Sequence, residues 1–424
     1  MPPEENKQET VRTQADYTSM SHSVAWNHLQ TEVKKSKNRS KTKQITDYLT
    51  KRIWSWIYYY VTSRFGPNYK YTTYSGADTG VYTLGEEPVS ITLTADWATN
   101  TPESAAVAES MARHHPEYTI HLGDTYYVGA PPEIKANFTR PDSPWVRGSK
   151  GSFAILGNHE MHARGVAFFK HLLPTMGLKG KHGTYEGQKA GFFCLENEHW
   201  RILGLDTGYH SIGKVPILEL LPWFSPDCHF DELLIDWLIQ QVKLDDPNDK
   251  RGLVIMTHHQ YISAFRGQGE YTAPAVQLAK LIGKDRPVIW LWGHEHKLSF
   301  YSKAQADKGI AAYGRCIGHG GMPVELEARE FEQTTKNYGH KKLVAVDKRT
   351  RVHEPGCHLG YNGYALLQLD AEVLNISYHD TEEKVLSEKW TADLKTGIIK
   401  GEIKNSDVKG LELLPGQAWQ NIVN

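Results

Sequence analysis

Residues 118–127 read YTIHLGDTYY, a short apolar run that ends abruptly in Gly-Asp. A run of this kind predicts a buried strand followed by a tight loop. Four other runs follow the same plan: VSITLTADW (89–97), FAILGNHE (153–160), GLVIMTHH (252–259) and VIWLWGHEH (288–296). Each run delivers carboxylate, amide or imidazole side chains at its carboxyl end.

Helical patterns separate several of these strands, at SAAVAESMARHH (104–115) and FDELLIDWLIQQVKL (230–244). Strands that alternate with helices predict an α/β fold, whose functional site lies outside the carboxyl ends of the strands. Residues 183–208 and 365–380 instead predict antiparallel strands joined by turns. We therefore expect mixed sheets, and two sheets packed face to face.

The composition excludes several classes of protein. Lys+Arg is 48 and Asp+Glu is 49 in 424 residues, so a protein coated with basic residues for nucleic acid is not expected. The four cysteines form no C-x-x-C pair, which argues against a disulfide scaffold or a zinc ribbon. Histidine is abundant, with 21 residues, and it is the commonest metal ligand.

The first 85 residues differ from the rest and are predicted to be an N-terminal extension. Residues 34–43 are basic, and residues 44–65 carry apolar side chains at roughly helical spacing. This helix either packs on the main domain or lies on a membrane surface. The polar start lacks the pattern of a secretory signal, so a cytoplasmic location is expected. The catalytic domain is predicted over 86–385 and a C-terminal tail over 386–424.

The five strand ends together offer carboxylate, phenol, amide and imidazole groups. Because these ends meet at one edge, the groups suit a pair of closely spaced metal ions. The ordered motifs are Asp96, Gly123-Asp124, Gly157-Asn158-His159-Glu160, His258 and Gly293-His294-Glu295-His296. This order resembles the calcineurin-like metallophosphoesterases, and is most similar to the purple acid phosphatases. The resemblance implies a four-layer αββα sandwich with two mixed sheets.

One difference selects the subfamily. Many relatives carry Asp-x-His at the first motif, whereas this chain reads Asp96-Trp97-Ala98. Tyr127 stands three residues after Asp124, where purple acid phosphatases place a tyrosinate that binds the first metal. The resemblance therefore pairs a missing histidine with a compensating tyrosine.

The resemblance also implies a ligand set for each metal ion. The first metal takes Asp96, Asp124, Tyr127 and His296, and the second takes Asp124, Asn158, His258 and His294. Three anionic oxygen ligands favour Fe(III) at the first site. The mostly neutral second set suits divalent Fe, Zn or Mn.

The implied reaction is hydrolysis of a small phosphate ester by metal-activated hydroxide. His159 lies in the GNHE motif outside the ligand set, so it is the candidate for phosphate contact and leaving-group protonation, or else it orients its loop. Further candidates for lining the pocket are His162, Arg164, His259, Arg266 and His319. Purple acid phosphatases often carry a phosphate-binding histidine after the divalent-metal histidine, but this chain has none there beyond His259.

Two alternatives remain beside a phosphomonoesterase. One is a phosphodiesterase or nucleotide hydrolase on the same fold. The other is a non-catalytic phospho-ligand-binding or membrane-associated module, although such a descendant is expected to lose ligands and all seven positions are filled. A nuclease is less attractive because the chain lacks a broad basic surface.

Overall fold

The computed structural model describes residues 58–59, 62, 66–85, 88–212, 226–265, 269–326, 342–354, 357–404 and 408–424. In chain order the strands are β1 (Val81–Thr83), β2 (Val89–Thr94), β3 (Tyr118–His121), β4 (Gly151–Ala154), β5 (Gly177–Leu178), β6 (Phe193–Glu196), β7 (Trp200–Gly204), β8 (Gly252–Thr257), β9 (Val288–Trp292), β10 (Leu298–Gln305), β11 (Ala311–Ile317), β12 (Leu343–Val346), β13 (Val352–Glu354), β14 (Cys357–Leu359), β15 (Gly363–Asp370), β16 (Val373–Asp380), β17 (Lys384–Asp393), β18 (Ile398–Glu402) and β19 (Glu412–Leu413).

The α-helices are α1 (Pro102–Ala112), α2 (Pro131–Ile134), α3 (Asn158–Met161), α4 (Glu232–Gln240) and α5 (Ala273–Ile282). Two π-helical turns span Lys135–Thr139 and Phe168–Leu172, and two 3₁₀ turns span Leu173–Thr175 and Trp419–Ile422. The predicted helices at 104–115 and 230–244 correspond to α1 and α4. Both begin at a side-chain cap, since Thr101 accepts from Ser104 N and Asp231 accepts from Leu233 N.

The strands form two large mixed sheets, as predicted. Within the described residues, sheet I has the order β1-β6-β7-β8-β9-β11-β10-β12-β19, and sheet II has the order β18-β17-β16-β15-β2-β3-β4-β5. The central strands run parallel: β7, β8, β9 and β11 in sheet I, and β2, β3 and β4 in sheet II. Antiparallel strands flank them, including the predicted hairpins β6–β7 and β15–β16.

The two sheets share one hydrophobic cluster and bury a second one on their other faces. Ile91 and Ile120 of sheet II belong to the shared cluster with Ile202 and Met256 of sheet I. Ile255, the neighbour of Met256 in β8, belongs to the second cluster with side chains of α1 and α4, because successive strand residues point to opposite faces. Both sheets are thereby fixed so that their parallel strands end near each other.

Strands also occur in the two segments that the sequence placed outside the catalytic domain. Residues 81–83, assigned to the N-terminal extension, form β1 and pair with β6. Residues 386–424, predicted to be a tail, contain most of β17, all of β18 and β19, and the last 3₁₀ turn. Arg315 of β11 pairs with Glu388 of β17 at 2.7 Å, and neither side chain is exposed. The C-terminal residues are therefore part of both sheets.

Residues 34–43 and most of the predicted helix at 44–65 lie outside the described residues. Among the residues that are described, no helix is both long and apolar enough to cross a membrane. Cys194, Cys228 and Cys316 are buried as free thiols.

Candidate metal centre

The parallel strands of both sheets end at the same place, and the predicted ligands follow them. Asp96 follows β2, Asp124 follows β3 and Asn158 follows β4, all in sheet II. In sheet I, His258 follows β8, and His294 and His296 follow β9. The structure thus brings carboxylates from one sheet to imidazoles from the other.

Asp124 lies between the two halves of this group. Its Oδ2 atom is 3.2 Å from Nε2 of His258, and Asn158 Oδ1 is 3.1 Å from the same nitrogen. Ligand atoms of Asp96, Asp124 and His258 all lie within 4.8 Å of one another. Ligand atoms of His258, His259 and His294 do so as well. Donors this close, of mixed oxygen and nitrogen type, fit transition-metal ions.

The tautomer of His258 is set by the backbone. Its Nδ1 atom is 2.9 Å from the carbonyl oxygen of Leu122, which only accepts, so Nδ1 carries the hydrogen. Nε2 therefore points toward the oxygen atoms of Asn158 and Asp124. A metal-binding histidine is commonly oriented in this way by a second hydrogen bond.

The phenol that lies among the predicted first-site ligands is that of Tyr126, the neighbour of the predicted Tyr127. The Tyr126 hydroxyl oxygen is 2.7 Å from Asp96 Oδ1, 3.1 Å from Asp124 Oδ2 and 2.9 Å from His296 Nε2. The Tyr126 N–H donates to the carbonyl of Ala98, two residues after Asp96, which brings the Tyr126 ring beside that carboxylate. The backbone of Tyr127 forms two hydrogen bonds beside the centre: its N–H donates to Glu133, and its carbonyl accepts from His159.

Close backbone approach and unusual dihedral angles shape the centre. A Cβ on Gly157 would lie 2.2 Å from Asp124 Oδ1, so only glycine fits there. Four ligand candidates have positive φ angles: Asp96 (55°), Asp124 (70°), His294 (68°) and His296 (46°). This left-handed backbone conformation costs a non-glycine residue about 1–3 kcal/mol.

Hydrogen bonds hold these strained turns in place. The His294 N–H donates to Asp96 Oδ2 at 2.7 Å, and the His159 N–H donates to Asp124 Oδ1 at 2.9 Å. Oε2 of Glu160 accepts from the N–H groups of Gly157 (3.0 Å) and Asp124 (3.2 Å). Glu160 therefore joins the second and third motifs, and this explains why the motif ends in a buried carboxylate.

Charges in the centre are strongly perturbed. Burial opposes ionisation of Asp124, but His258 and His159 outweigh it and hold the Asp124 pKa well below its usual range. Burial and the neighbouring His258 lower the pKa of His294 to about 3, and burial with His294 lowers the pKa of His259. Burial opposes the charge of His258, but Asp124 outweighs burial and raises the pKa of His258 to about 9. The result is a buried anionic carboxylate with His294 and His259 held neutral, while a metal ion that binds His258 displaces a proton from it.

His159 lies at the edge of the centre. Its Nδ1 atom is 2.5 Å from the Tyr127 carbonyl oxygen, so Nδ1 carries the hydrogen. Nε2 is 3.8 Å from Asp124 Oδ2, and the side chain is 22 % exposed. The ring of His162 lies 5.2 Å from that of His159.

The other pocket candidates lie in different places. His259 is buried beside His294, with ring centroids 4.7 Å apart. His319 is buried, and its ring lies against Gly363. Arg164 bonds Tyr69 through its carbonyl, and its side chain lies beside Gly66. Arg266 lies outside the described residues.

Three residues that support the centre were not predicted: Glu133, Thr207 and Tyr271. Glu133 binds the Tyr127 loop, Thr207 bonds His259, and the Tyr271 ring lies 5.0 Å from that of His259. None carries a sequence signal, because each lies outside the strand-end motifs and contacts them only in the folded chain.

The chain was compared with known proteins by sequence and by fold. Among curated proteins, none matches the sequence. One similar solved structure is GAP50, titled the anchor in the inner membrane complex of Plasmodium, at 11% identity over 72% of this chain and 89% of that chain, with a TM-score of 0.44. A second is a purple acid phosphatase from yellow lupin, Lupinus luteus, at 11% identity over 80% of this chain and 55% of that chain, with a TM-score of 0.39. A third is a dimetal phosphatase from Danio rerio, at 12% identity over 72% of this chain and 100% of that chain, with a TM-score of 0.38. The sequence model of calcineurin-like phosphoesterases matches residues 89–298, which contain every predicted metal ligand. Through these residues, the chain belongs to the calcineurin-like phosphoesterase family of metal-dependent hydrolases.

Proposed function

We propose that this hydrolase binds two metal ions and cleaves small phosphate esters in the manner of purple acid phosphatases, with monoesters favoured. The observation that supports this most directly is the position of Asp124. Its carboxylate lies against Tyr126 on one side and His258 on the other, and thus can bridge two ions.

The donor set divides by charge. The first site takes Asp96, Asp124, Tyr126 and His296, which supplies three oxygen anions once the phenol is deprotonated and favours Fe(III). The second site takes Asp124, Asn158, His258 and His294, whose mostly neutral donors suit divalent Fe, Zn or Mn. Tyr126 replaces Tyr127 in this assignment because its hydroxyl is the one that lies among the carboxylates.

Such a pair of ions supplies a nucleophile near neutral pH and neutralises charge on the phosphoryl group. The protein holds the nucleophile's side of the site rigid through Asp124 and Asn158. His159 places Nε2 3.8 Å from Asp124 Oδ2 while its Nδ1–H is held by the Tyr127 carbonyl. A protonated Nε2 at this place donates to the leaving oxygen as the phosphorus–oxygen bond breaks.

The two-metal assignment is tested by elemental analysis and visible absorption. Protein reconstituted with iron and zinc should hold two ions per chain, and oxidised protein should show a phenolate-to-iron band. Tyr126→Phe should remove that band, whereas Tyr127→Phe should leave it. One ion or none per chain would refute the dinuclear site, and a band lost only in Tyr127→Phe would restore the original tyrosine assignment.

Substrate preference is tested with the same reconstituted protein. Monoesters such as phenyl phosphate should be cleaved faster than matched diesters such as diphenyl phosphate. The reverse order would favour the phosphodiesterase or nucleotide-hydrolase alternative on the same metal centre.

A further inference from the structure

His259 carries a buried ring nitrogen that the proposed ligand sets do not use. The residue follows His258 at the end of β8 and is 2 % exposed. Its Nε2 atom is buried and has no hydrogen-bond partner in the described part of the chain. An unpaired polar atom in a protein interior costs about 1–3 kcal/mol, so its retention calls for a partner that the protein atoms do not supply.

The position of the ring indicates what that partner is. The His259 centroid lies 4.7 Å from that of His294 and 4.8 Å from that of His258. Each of these three histidines has a ring nitrogen that lies within 4.8 Å of a ring nitrogen of the other two. Two nitrogens bound to one zinc ion at about 2.1 Å lie at most about 4.2 Å apart. For all three to bind a single ion, the rings have to turn so that each pair of nitrogens lies within this limit.

Thr207 fixes the other edge of the His259 ring. Its Oγ1 atom is 3.0 Å from Nδ1 of His259 and also accepts the backbone N–H of His259 at 3.1 Å. The Thr207 loop is itself anchored, because Gly208 packs so tightly that a Cβ there would lie 2.5 Å from the carbonyl oxygen of Leu156. This contact ties Thr207 to the loop that carries Asn158. A hydroxyl that holds the second nitrogen of an imidazole is the usual support for a metal-binding histidine.

We infer that His259 binds the second metal ion through Nε2, oriented by Thr207, so that three histidines hold this ion. The inference rests on the proposed two-metal function. His259 adds a third imidazole nitrogen to a site whose other ligands are two imidazoles, one shared carboxylate and one amide oxygen. Imidazole-rich sites favour Zn, Fe or Co over Mg, which makes the second site selective for a transition metal.

The test compares four full-length proteins: the parent chain, His259→Ala, Thr207→Val and His379→Ala. His379 is the matched control, because it is a nearly buried histidine whose Nε2 already pairs with Ser377 at 2.8 Å. Each protein is loaded with iron at the first site and zinc at the second. Zinc affinity is measured by chelator competition, and the number of imidazoles per zinc by X-ray absorption.

The parent chain should show three imidazoles per zinc, and His259→Ala should show two. Thr207→Val should keep three rings but weaken zinc binding by about 10–100-fold, the usual effect of losing such a supporting bond. His379→Ala should match the parent in both measurements. If His259→Ala does not fold, Thr207→Val alone carries the test, since it exchanges groups of nearly equal size.

The possible failures are distinct. A parent chain that binds fewer than two ions would refute the two-metal function, and the inference with it. A parent chain with two ions but only two imidazoles per zinc would refute the role of His259 and leave the two-metal function standing. Thr207→Val with parental zinc affinity would overturn the role given to Thr207.

Discussion

Glu133 offers the sharpest test of how the tyrosine loop is held. Its Oε1 atom accepts the N–H of Tyr127 at 2.5 Å, and its Oε2 atom accepts those of Val128 (3.1 Å) and Ala130 (2.9 Å). One carboxylate thus satisfies three backbone donors in the segment that follows Tyr126. Glu133→Gln keeps the size of the side chain and removes half of its acceptors.

The expected cost follows from the count of bonds. The glutamine carbonyl can serve either the Tyr127 N–H or the other two donors, and its NH₂ group then faces at least one N–H. Losing a hydrogen bond to a charged group costs about 1.5–3 kcal/mol, and the remaining bonds weaken because the acceptor is neutral. We therefore expect the free energy of unfolding to fall by about 3 kcal/mol.

Urea denaturation at pH 7 measures this change. Glu402→Gln is the control, because Glu402 forms an exposed pair with Lys389 at 3.7 Å, a class of contact worth about 0–1 kcal/mol. Glu133→Gln should also weaken or shift the phenolate-to-iron band, since the loop that positions Tyr126 loosens. If Glu133→Gln lost no more stability than Glu402→Gln, the three-bond anchor would not be what holds this loop.

Two further predictions concern a proton donor and a buried acid. His159→Ala should keep both metal ions and lower turnover about 10²–10⁴-fold. The loss should be larger for alkyl phosphates than for nitrophenyl phosphate, because the nitrophenyl leaving group needs little protonation. Steady-state rates on both esters measure this, and an equal loss on both would argue for phosphate binding instead. Burial raises the pKa of Asp206 to about 7, so the folded state holds this proton more tightly than the unfolded state. Its stabilising contribution is therefore full below about pH 4 and is lost as the pH rises through about 7, by roughly 4 kcal/mol at most. The urea midpoint, measured between pH 4.5 and 8, should decline in the parent chain and in the exposed-site control Asp370→Asn, but not in Asp206→Asn. If the midpoints of the parent and of Asp206→Asn ran parallel with pH, the decline would not come from Asp206.

The strand ends of the centre were predictable because their signals are local. Each apolar run and the motif after it lie within about ten residues, and parallel strands bring their carboxyl ends together without further information. The choice between Tyr126 and Tyr127 was not predictable in this way. It depends on a bond from the Tyr126 N–H to the carbonyl of Ala98, in another loop.

The C-terminal strands were missed for a different physical reason. In β17 the side chains alternate between buried and exposed over Glu388–Asp393, which is a strand signal of period two. The buried positions are Glu388, Trp390 and Ala392, and the charge of Glu388 interrupts the apolar face. Only the structure reveals that Arg315 of the other sheet neutralises it, with Nε and Nη2 at 2.8 and 2.7 Å from its two oxygens. A buried charge whose partner is 73 residues away cannot be distinguished from an exposed one by local pattern.

The metal centre also explains why its turns use residues that fit them poorly. Asp96 and His294 adopt left-handed conformations that glycine would adopt at lower cost, yet glycine offers no ligand. The surrounding bonds hold the strain: the His294 N–H donates to Asp96, and Glu160 ties Asp124 to Gly157. Donors from two sheets are thereby placed within a few ångströms by protein contacts alone. The fold therefore bears the cost of arranging the ligands, and ions that enter the centre meet donors that need little further movement.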